Sequence, residues 1–383
     1  MRARHQVADV LKKHWSKVES AAGINGWQLR TLAAIMRCRT AAMGGHVDTC
    51  SDCGSVRISY NSCRNRHCPT CQGRKREEWI QAREAELLAV PYLHVVFTLP
   101  GELNQLALHQ PKAVYDTLFE AAWKTMLVFG NDEKHLGARP GMIAVLHTWG
   151  QSLSLHPHLH CIVPGGGLSK AGFWKNAKTQ GKFLFPVKAM SKVFRAKYVQ
   201  GLKEKLPDVD RQLVNALFKK PWVVYAKRAF AGPASVVEYL GRYTHKIAIS
   251  NHRLTDVDED TVSFSYKDYR KAGQKQIMTL PAMEFIRRFA MHILPRGFVR
   301  IRHYGILSAT SKSQALPRIR KQLSEVAKQQ KQELRQLQEY NPLLCPCCRK
   351  ETMVMLQVLP KRGPPQGLRT RKDYGQPQTA AKK

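Results

Sequence analysis

The sequence predicts an α+β fold, in which helices flank a central and mainly antiparallel sheet, together with a small metal-binding domain at the N-terminus. Segments with strand and helix patterns follow one another without the strict β-α-β alternation that builds parallel sheets. Between residues 38 and 71, eight cysteine and histidine side chains occur together. The chain has 383 residues, 43% of them hydrophobic, which allows two or three domains and at least one large core.

The predicted elements fall into three parts of the chain. Residues 1–89 hold two short helices within 5–36, the cysteine-rich stretch and a charged helix over 72–89. Residues 90–306 form the larger domain, with strands expected at 92–99, 142–147, 155–163, 222–227, 247–249 and 261–266, and helices at 110–130, 188–205, 209–218, 234–243 and 282–292. Residues 307–383 are expected to be a basic tail, helical over 312–340 and disordered after Lys361.

The charge of the chain predicts a nucleic acid as partner. There are 62 Lys and Arg against 28 Asp and Glu, a net charge of +34 that is spread over the whole length. Such an excess forms a broad phosphate-binding face with salt-dependent affinity; the alternative is a generic basic surface, as on a ribosome-associated protein. We find no secretory signal and no long apolar span, and therefore expect a cytoplasmic protein without a membrane partner.

A histidine motif marks the first candidate site. The run His156-Pro157-His158-Leu159-His160 alternates histidines along a predicted strand. Alternate residues of a strand share one face, so His158 and His160 can hold one divalent ion, or simply line the strand. Two imidazoles need at least one more ligand; His156 lies on the same face and His245 is more distant. Open coordination positions suit Mn²⁺, and Mg²⁺ can also be used.

Two tyrosines mark the second candidate site. Tyr239 and Tyr243 are spaced i, i+4, which puts both phenols on one side of a helix. Packing aromatics often show this spacing, but the neighbours, including Arg242 and Lys246, are too polar for a buried stripe. A phenol has a pKa of about 10, and nearby cations favour its ionised form. Beside a metal ion, these tyrosines are candidate nucleophiles that cut and rejoin DNA through a phosphotyrosine bond.

Together these motifs resemble those of the HUH endonucleases. Within that group the chain is most similar to the two-tyrosine, rolling-circle insertion-sequence transposases of the ninety-one family, over about residues 38–305, including 61–69 and 239–251. The resemblance implies an HUH-type domain with an antiparallel sheet, and tyrosine nucleophiles that act on single-stranded DNA. It also implies a polar third metal ligand about seven residues before the histidine motif, which makes Gln151 the candidate. Phe97-Thr98-Leu99 resembles a first-strand motif, but Pro100 departs from it, so we assign that segment to the sheet core.

The cysteines predict zinc. Cys50 and Cys53 form one C-x-x-C pair and Cys68 and Cys71 another, separated by 14 residues, which is typical of a four-thiolate zinc site in a reducing compartment. Four further ligands of the same stretch are enough for a second zinc site: Cys38, His46, Cys63 and His67. Alternatively, the two histidines contact DNA or pack locally. A last C-x-x-C pair at Cys345 and Cys348 has no second pair after it and is left unassigned, and Cys161 is expected in the core.

Basic residues near these motifs are candidates for DNA binding. In the N-terminal part they are Arg64, Arg66, Arg74, Lys75 and Arg76. Beside the tyrosines they are Arg242 and Lys246. We expect these side chains to grip DNA phosphates; the alternative for the charged helix is an ordinary solvated face.

The sequence therefore favours a DNA transposase that nicks and joins single strands at element ends and target DNA. A plasmid or phage replication initiator would share the nicking step, and a non-catalytic zinc-dependent DNA-binding protein would explain the charge and the cysteines alone. No P-loop of the G-x-x-x-x-G-K-[ST] form occurs in the sequence. Any unwinding is therefore expected from a host helicase or from replication.

Overall fold

The computed structural model describes residues 3–71, 73–84, 86–178, 184–227, 236, 247–324 and 341–361, and only the backbone of residues 73–76, 81, 84, 227, 270 and 324. The α-helices are α1 (Val7–Lys13), α2 (Trp15–Glu19), α3 (Gly26–Met36), α4 (Gly73–Glu84), α5 (Asn104–His109), α6 (Pro111–Asn131), α7 (Val187–Lys205), α8 (Arg211–Phe218), α9 (Ala282–Met291) and α10 (Ala309–Ser324). No helix within these ranges is long and apolar enough to cross a membrane.

Within the described ranges, thirteen strands form three sheets. The strands are β1 (Gly45–Cys50), β2 (Val56–Tyr60), β3 (Tyr92–Thr98), β4 (Arg139–Trp149), β5 (Leu155–Pro164), β6 (Gly166–Leu168), β7 (Trp174–Asn176), β8 (Val224–Lys227), β9 (Leu254–Val257), β10 (Thr261–Asp268), β11 (Gln274–Pro281), β12 (Ile301–Gly305) and β13 (Met353–Leu359). The large sheet has the order β7-β6-β4-β5-β3-β8, with β12 also paired to β4. Every pairing in it is antiparallel, which confirms the predicted fold class.

The two faces of the large sheet have different partners because side chains alternate along each strand. Leu93, Val95 and Phe97 of β3 point into the main core, where α6 and α7 cover them with large apolar side chains such as Phe119 and Phe194. All five are almost completely buried. The opposite face of the same strands carries the histidines, so the helices fix the sheet from behind and leave the histidine face for chemistry.

A second core joins the N-terminal helices to the end of the larger domain. Leu11 of α1 and Leu32 of α3 share a hydrophobic cluster with Phe264 of β10 and Phe285 of α9. The rings of Phe264 and Phe285 lie 5.9 Å apart. Residues 7–36 therefore pack directly on residues 248–293, across the boundary that the sequence analysis placed at residue 89.

The third sheet brings together the two ends of the chain. Its order is β13-β1-β2, and β13 pairs antiparallel with β1 over six residue pairs, from Gly45 with Leu359 to Cys50 with Met353. The predicted tail after residue 307 therefore includes a strand that belongs to the N-terminal domain. Sequence reasoning missed it because the partner strand is remote in sequence and a short strand carries no signal of its partner.

Two other predicted elements differ from the structure. The strand expected at 247–249 is wrong: Ala248 and Ile249 are buried in the second core but pair with no strand. The predicted helix over 312–340 begins at Ala309, and its described part ends at Ser324. The predicted helix over 234–243 lies outside the described residues except for Val236, as does the segment after Lys361.

Candidate active site and metal centres

Three histidines come together on the open face of the large sheet. His158 and His160 lie on β5, and His147 lies directly opposite His158 on the neighbouring strand β4. One ring nitrogen from each lies within 4.8 Å of the others. His147 is buried and the two β5 histidines are partly exposed. The group is therefore anchored in the sheet and still reachable from solvent.

The spacing of these imidazoles fits a divalent ion. The Nε2 atoms of His158 and His160 are 3.1 Å apart. Two nitrogens that bind one ion at about 2.1 Å, with an angle of about 95° between them, are separated by about 3.1 Å. Among the described residues no carboxylate joins this group. The ligands are neutral when they bind a metal, so the full charge of the ion is available to an anionic phosphate.

Hydrogen bonds orient both β5 histidines as metal ligands. Nδ1 of His158 lies 2.7 Å from the carbonyl oxygen of His156, and Nδ1 of His160 lies 2.9 Å from Nε2 of His94 on β3. These contacts engage the Nδ1 atoms and direct both Nε2 atoms to one point. His94 is 4% exposed and stacks on His160, with ring centroids 5.2 Å apart. His94 is therefore positioned to orient the His160 ring for metal binding.

An aromatic and cationic stack orients the third histidine. The His147 ring lies on the Trp149 ring with centroids 4.7 Å apart, and the Arg300 guanidinium lies 5.3 Å from the centre of the Trp149 ring. Nε of Arg300 donates a hydrogen bond of 3.1 Å to the carbonyl oxygen of Leu146. Burial, with a smaller contribution from nearby Arg66, lowers the pKa of Arg300 to about 9. The stack restrains the His147 ring, because turning it would separate it from Trp149.

Gln151 lies in the turn between β4 and β5. Its carbonyl oxygen accepts a hydrogen bond of 2.5 Å from Arg253. In the same turn the carbonyl oxygen of Leu153 lies 3.2 Å from Nε2 of the buried His292. The third imidazole comes from His147, and a ligand role for Gln151 stays a prediction.

The predicted nucleophiles, Tyr239 and Tyr243, lie outside the described residues, and so do Arg242, His245 and Lys246. Val236, the described residue of that segment, is completely buried.

The cysteines form two groups, and the grouping differs from the one predicted. Sequence reasoning joined the pair Cys50 and Cys53 to the pair Cys68 and Cys71. In the structure each pair meets other cysteines instead. One group consists of Cys38, Cys63, Cys68 and Cys71, and the other consists of Cys50, Cys53, Cys345 and Cys348. The correction has a physical reason: β1 and β2 carry Cys50 and Cys53 away from residues 63–71, toward β13.

The first group has the dimensions of a tetrahedral thiolate site. The sulfurs of Cys63 and Cys71 are 3.7 Å apart. Four sulfurs at about 2.3 Å from one zinc ion stand about 3.8 Å from one another. The amide of Cys63 also donates to the sulfur of Cys38 at 3.4 Å, a contact that favours a thiolate. These residues fit Zn²⁺.

The two histidines predicted for a second zinc site do not join either group. His46 on β1 lies 3.3 Å from the carboxylate of Asp48. His67 is buried, and its Nε2 has no hydrogen-bond partner among the described residues. Burial, with the nearby charges of Arg66 and Arg300, holds the pKa of His67 well below its usual range. Local packing describes the buried His67, whereas His46 is partly exposed and its contact with DNA stays a prediction.

The predicted DNA-binding arginines have different environments. Arg64 is exposed. Arg66 is half-buried and donates hydrogen bonds to the carbonyl oxygens of Phe298 and Pro295. Those bonds tether the zinc-binding region to the segment that precedes β12, so the Arg66 guanidinium is engaged with protein. Arg74, Lys75 and Arg76 lie on α4, where only the backbone is described.

The chain is similar to known transposases along most of its length. A model described as a transposase zinc-binding domain matches residues 10–99, and one described as "putative transposase" matches residues 141–315. A protein of Sinorhizobium fredii, described as "putative transposase y4qJ", is 40% identical over 95% of this chain and 98% of its own length. The chain belongs to the IS91 family of transposases.

The remaining comparisons agree with this family. The transposase for insertion sequence element IS801 of Pseudomonas savastanoi pv. phaseolicola is 29% identical over 80% of this chain and 76% of its own length. No solved structure gives a significant match. The N-terminal region of this IS91-family transposase binds Zn²⁺, and its cysteine cluster provides the fit. The transposase match covers His147, His158 and His160, and membership of the family gives the chain an enzymatic role in DNA processing.

Sequence reasoning missed His147 and His94, although a signal for His147 exists. Across β4 and β5, paired residues from Ile143 with Ile162 to His147 with His158 keep one constant register. If the predicted strands 142–147 and 155–163 are paired as a hairpin in this register, His147 lies opposite His158. No such signal exists for His94, because its strand, β3, is distant in sequence from β5.

Proposed function

We propose that this IS91-family transposase nicks and joins single-stranded DNA at element ends through 5′-phosphotyrosine intermediates, in a rolling-circle-like reaction. Tyr239 and Tyr243 are the proposed nucleophiles. His147, His158 and His160 are the proposed ligands of a catalytic Mg²⁺ or Mn²⁺. The observation that carries the proposal is the convergence of three oriented imidazoles in a group without a carboxylate.

The arrangement of the histidines suits phosphoryl transfer. Two adjacent strands supply all three imidazoles from one side, so an ion held by them would have further coordination positions for phosphate oxygens and water. A divalent ion bound there supplies positive charge to the scissile phosphate, which favours attack and offsets the charge of the pentavalent transition state. His94 and the carbonyl oxygen of His156 keep the imidazole rings aligned, so little reorganisation accompanies the reaction.

The tyrosines supply the covalent chemistry. The phenolic oxygen of one tyrosine attacks the scissile phosphorus, the bond to the 3′ oxygen breaks, and that oxygen leaves as a 3′-hydroxyl after it takes a proton. The new phosphotyrosine keeps the energy of the broken phosphodiester, so rejoining needs no nucleotide cofactor. The second tyrosine attacks another strand while the first link persists, and the freed 3′-hydroxyl then resolves a phosphotyrosine.

The position of Val236 supports this assignment of the tyrosines. Val236 packs in a buried cluster with Ile143 and Ile162, which share a sheet face with His160 through the register of β4 and β5. Tyr239 follows Val236 by three residues in the sequence. The described residue nearest to Tyr239 in sequence therefore packs on the histidine face of the sheet.

The proposal extends to the partners. The substrate is single-stranded DNA at the element ends and in the target, with exposed basic residues such as Arg64 on its phosphates. A host helicase or the replication machinery exposes the strand. Hydrolysis of ATP by the purified protein, stimulated by DNA, would contradict this part of the proposal.

A cleavage assay on labelled single-stranded element ends tests the chemistry. We would incubate the protein with Mg²⁺ or Mn²⁺ and detect a denaturant-resistant protein–DNA adduct, for wild type, Tyr239→Phe, Tyr243→Phe and the double variant. We expect an adduct that needs the metal and disappears in the double variant. Loss in one single variant identifies the initiating tyrosine.

Tyr225→Phe provides the matched control. Tyr225 is 54% exposed and pairs with Val96, which puts it on the same sheet face as His160. Its replacement should leave adduct formation unchanged. If the double variant Tyr239→Phe, Tyr243→Phe still forms the adduct, or if Tyr225→Phe abolishes it, the proposed nucleophiles are wrong.

A further inference from the structure

The second cysteine group joins loops from opposite ends of the chain. Cys50 is the last residue of β1 and Cys53 follows it, whereas Cys345 and Cys348 precede β13. Two sulfur pairs cross between the loops: Cys50 and Cys348 are 3.6 Å apart, and Cys53 and Cys345 are 3.7 Å apart. A disulfide requires about 2.05 Å, whereas a tetrahedral zinc site requires about 3.8 Å between sulfurs. The geometry therefore fits a shared metal ion.

The two loops have the same backbone conformation. In each, the residue after the second cysteine, Gly54 or Arg349, has a positive φ, 71° and 63° respectively. The amide of that residue donates to the carbonyl oxygen of the first cysteine, Cys50 or Cys345, at 3.0 and 3.1 Å. The amide of each first cysteine donates to the carbonyl oxygen five residues later, at 2.9 and 2.8 Å. A non-glycine residue such as Arg349 rarely adopts positive φ. Its presence at the position that Gly54 has in the first loop indicates that both loops form the same specific turn.

Polar contacts in both loops favour thiolates. The amide of Cys53 donates to the sulfur of Cys50 at 3.4 Å, and the amide of Cys347 donates to the sulfur of Cys345 at 3.4 Å. The hydroxyl of Thr352 lies 3.0 Å from the Cys50 sulfur. Hydrogen bonds to a charged form stabilise it, and metal ligation requires the thiolate form of cysteine.

The sheet brings the two loops into register. Pairing of β1 with β13 ends at Cys50 opposite Met353, and the amide of Ser51 continues it with a hydrogen bond of 2.9 Å to the carbonyl oxygen of Thr352. The cysteines thus meet where two paired strands leave the sheet.

We propose that Cys50, Cys53, Cys345 and Cys348 bind a second Zn²⁺ and that this ion fastens residues 341–361 to the N-terminal domain. The matched zinc-binding domain ends at residue 99, far before Cys345. The zinc-binding unit of this protein is therefore discontinuous, and the catalytic region lies between its two halves in sequence. Four thiolates in this geometry suit zinc in a closed, structural site.

Metal content of the full-length protein tests the proposal. We would compare the zinc bound per chain in Cys345→Ser/Cys348→Ser with that in Cys347→Ser. Cys347 lies in the same loop but outside the group, which makes it the matched control. We expect the double variant to hold one equivalent of zinc less than Cys347→Ser. The difference between the two variants is independent of any metal at the histidines.

A measurement on the unaltered protein covers the case in which the double variant misfolds. Native protein would be alkylated with and without a zinc chelator, and the modified cysteines located by mass spectrometry. Cys53 and Cys347 are both exposed, but only Cys53 belongs to the group. We expect Cys347 to react at once, and Cys53, Cys345 and Cys348 to react only after chelation.

Three results would overturn the proposal. The first is equal zinc content in the two variants. The second is rapid alkylation of Cys53 or Cys345 in zinc-loaded protein. The third is a protein that holds iron and no zinc at these cysteines.

Discussion

The histidine group and the cysteine groups differ in how completely each surrounds an ion. The histidine group offers three imidazoles on one sheet face, and among the described residues no carboxylate joins them. Each cysteine group offers four thiols, which is enough to fill a tetrahedral coordination shell. Open sites serve catalysis and closed sites serve structure. This difference in ligand number agrees with the proposed catalytic role of the histidines and with a structural role of the cysteines.

The two cysteine groups also differ in the length of chain that they close. Cys38 and Cys63 are 25 residues apart, whereas Cys53 and Cys345 are 292 residues apart. The entropic cost of closing a loop rises by about 0.6 kcal/mol for each doubling of its length. Closing the longer loop therefore costs about 2 kcal/mol more than closing the shorter one. All members of the first group lie within residues 38–71, whereas the second group needs residues 345–348 to reach the loop after β1.

The largest expected effect is on stability, from Cys63→Ser with Cys71→Ser. Binding of a structural zinc is worth about 10–16 kcal/mol in small domains, so we expect a loss of more than about 5 kcal/mol in the N-terminal region. Thermal unfolding together with amide hydrogen exchange of residues 7–71 would measure it. Cys161→Ala is the control, since Cys161 is buried outside any cysteine group and should cost only about 1–2 kcal/mol. If the amides of residues 7–71 exchange as slowly in the double variant as in wild type, the first cysteine group has no structural role.

The second expected effect is on activity, from His158→Ala with His160→Ala. Loss of the metal should slow adduct formation by about 10³-fold or more. The melting temperature should move by less than about 3 °C, because both side chains are partly exposed. His156→Ala is the matched control, since its ring lies on the same strand outside the group and the substitution keeps the carbonyl oxygen that contacts Nδ1 of His158. A large drop in melting temperature for the double variant would show that the histidines also stabilise the fold.

The third test separates the two candidates for the third ligand. His147→Ala should slow adduct formation by about 10²–10³-fold, because an imidazole is lost from an open site with only three. Gln151→Ala should stay within about threefold of wild type, because the described contact of Gln151 uses its backbone carbonyl. Single-turnover rates at saturating metal compare the two. A larger effect of Gln151→Ala than of His147→Ala would identify Gln151 as the third ligand.

The fourth test concerns the junction between the structural and catalytic parts. Arg66→Gln removes two hydrogen bonds to carbonyl oxygens, and we expect a loss of about 2–3 kcal/mol in unfolding free energy. Arg64→Gln, at an exposed neighbour, should leave stability within about 0.5 kcal/mol but reduce the salt slope of DNA binding by about 1. Denaturant unfolding and salt titration of DNA affinity distinguish them. Equal effects of both variants on DNA binding would show that Arg66 also contacts phosphate.

The smallest expected effect comes from His94→Leu. Removing an orienting partner typically weakens metal binding by about 10–100-fold, so adduct formation should need a correspondingly higher metal concentration. At saturating metal the rate should largely recover, which a ligand variant such as His160→Ala would not do. His94→Gln retains a hydrogen-bonding group and should recover part of the affinity. A rate that metal does not restore in His94→Leu would make His94 more than an orienting residue.

Patterns with a short period were readable from the sequence. The period of two along a strand placed His158 and His160 on one face, and the structure places both in one group. Hydrophobic periodicity located the long helices α6 and α7 to within two residues at their ends. The large sheet was expected to be mainly antiparallel, and this prediction is confirmed. In the first two cases the deciding interactions lie within a few residues of one another.

What the sequence determined by itself was therefore the family chemistry: a basic chain with a histidine pair, a tyrosine pair and paired cysteines. Only the tertiary structure decided which pairs meet. Cys50 and Cys53 meet Cys345 and Cys348 because β1 pairs with β13, and the histidine pair gains His147 from β4 and His94 from β3. Local spacing fixes how two side chains sit on one element, but partners on different strands are selected by the sheet register and the burial of whole faces.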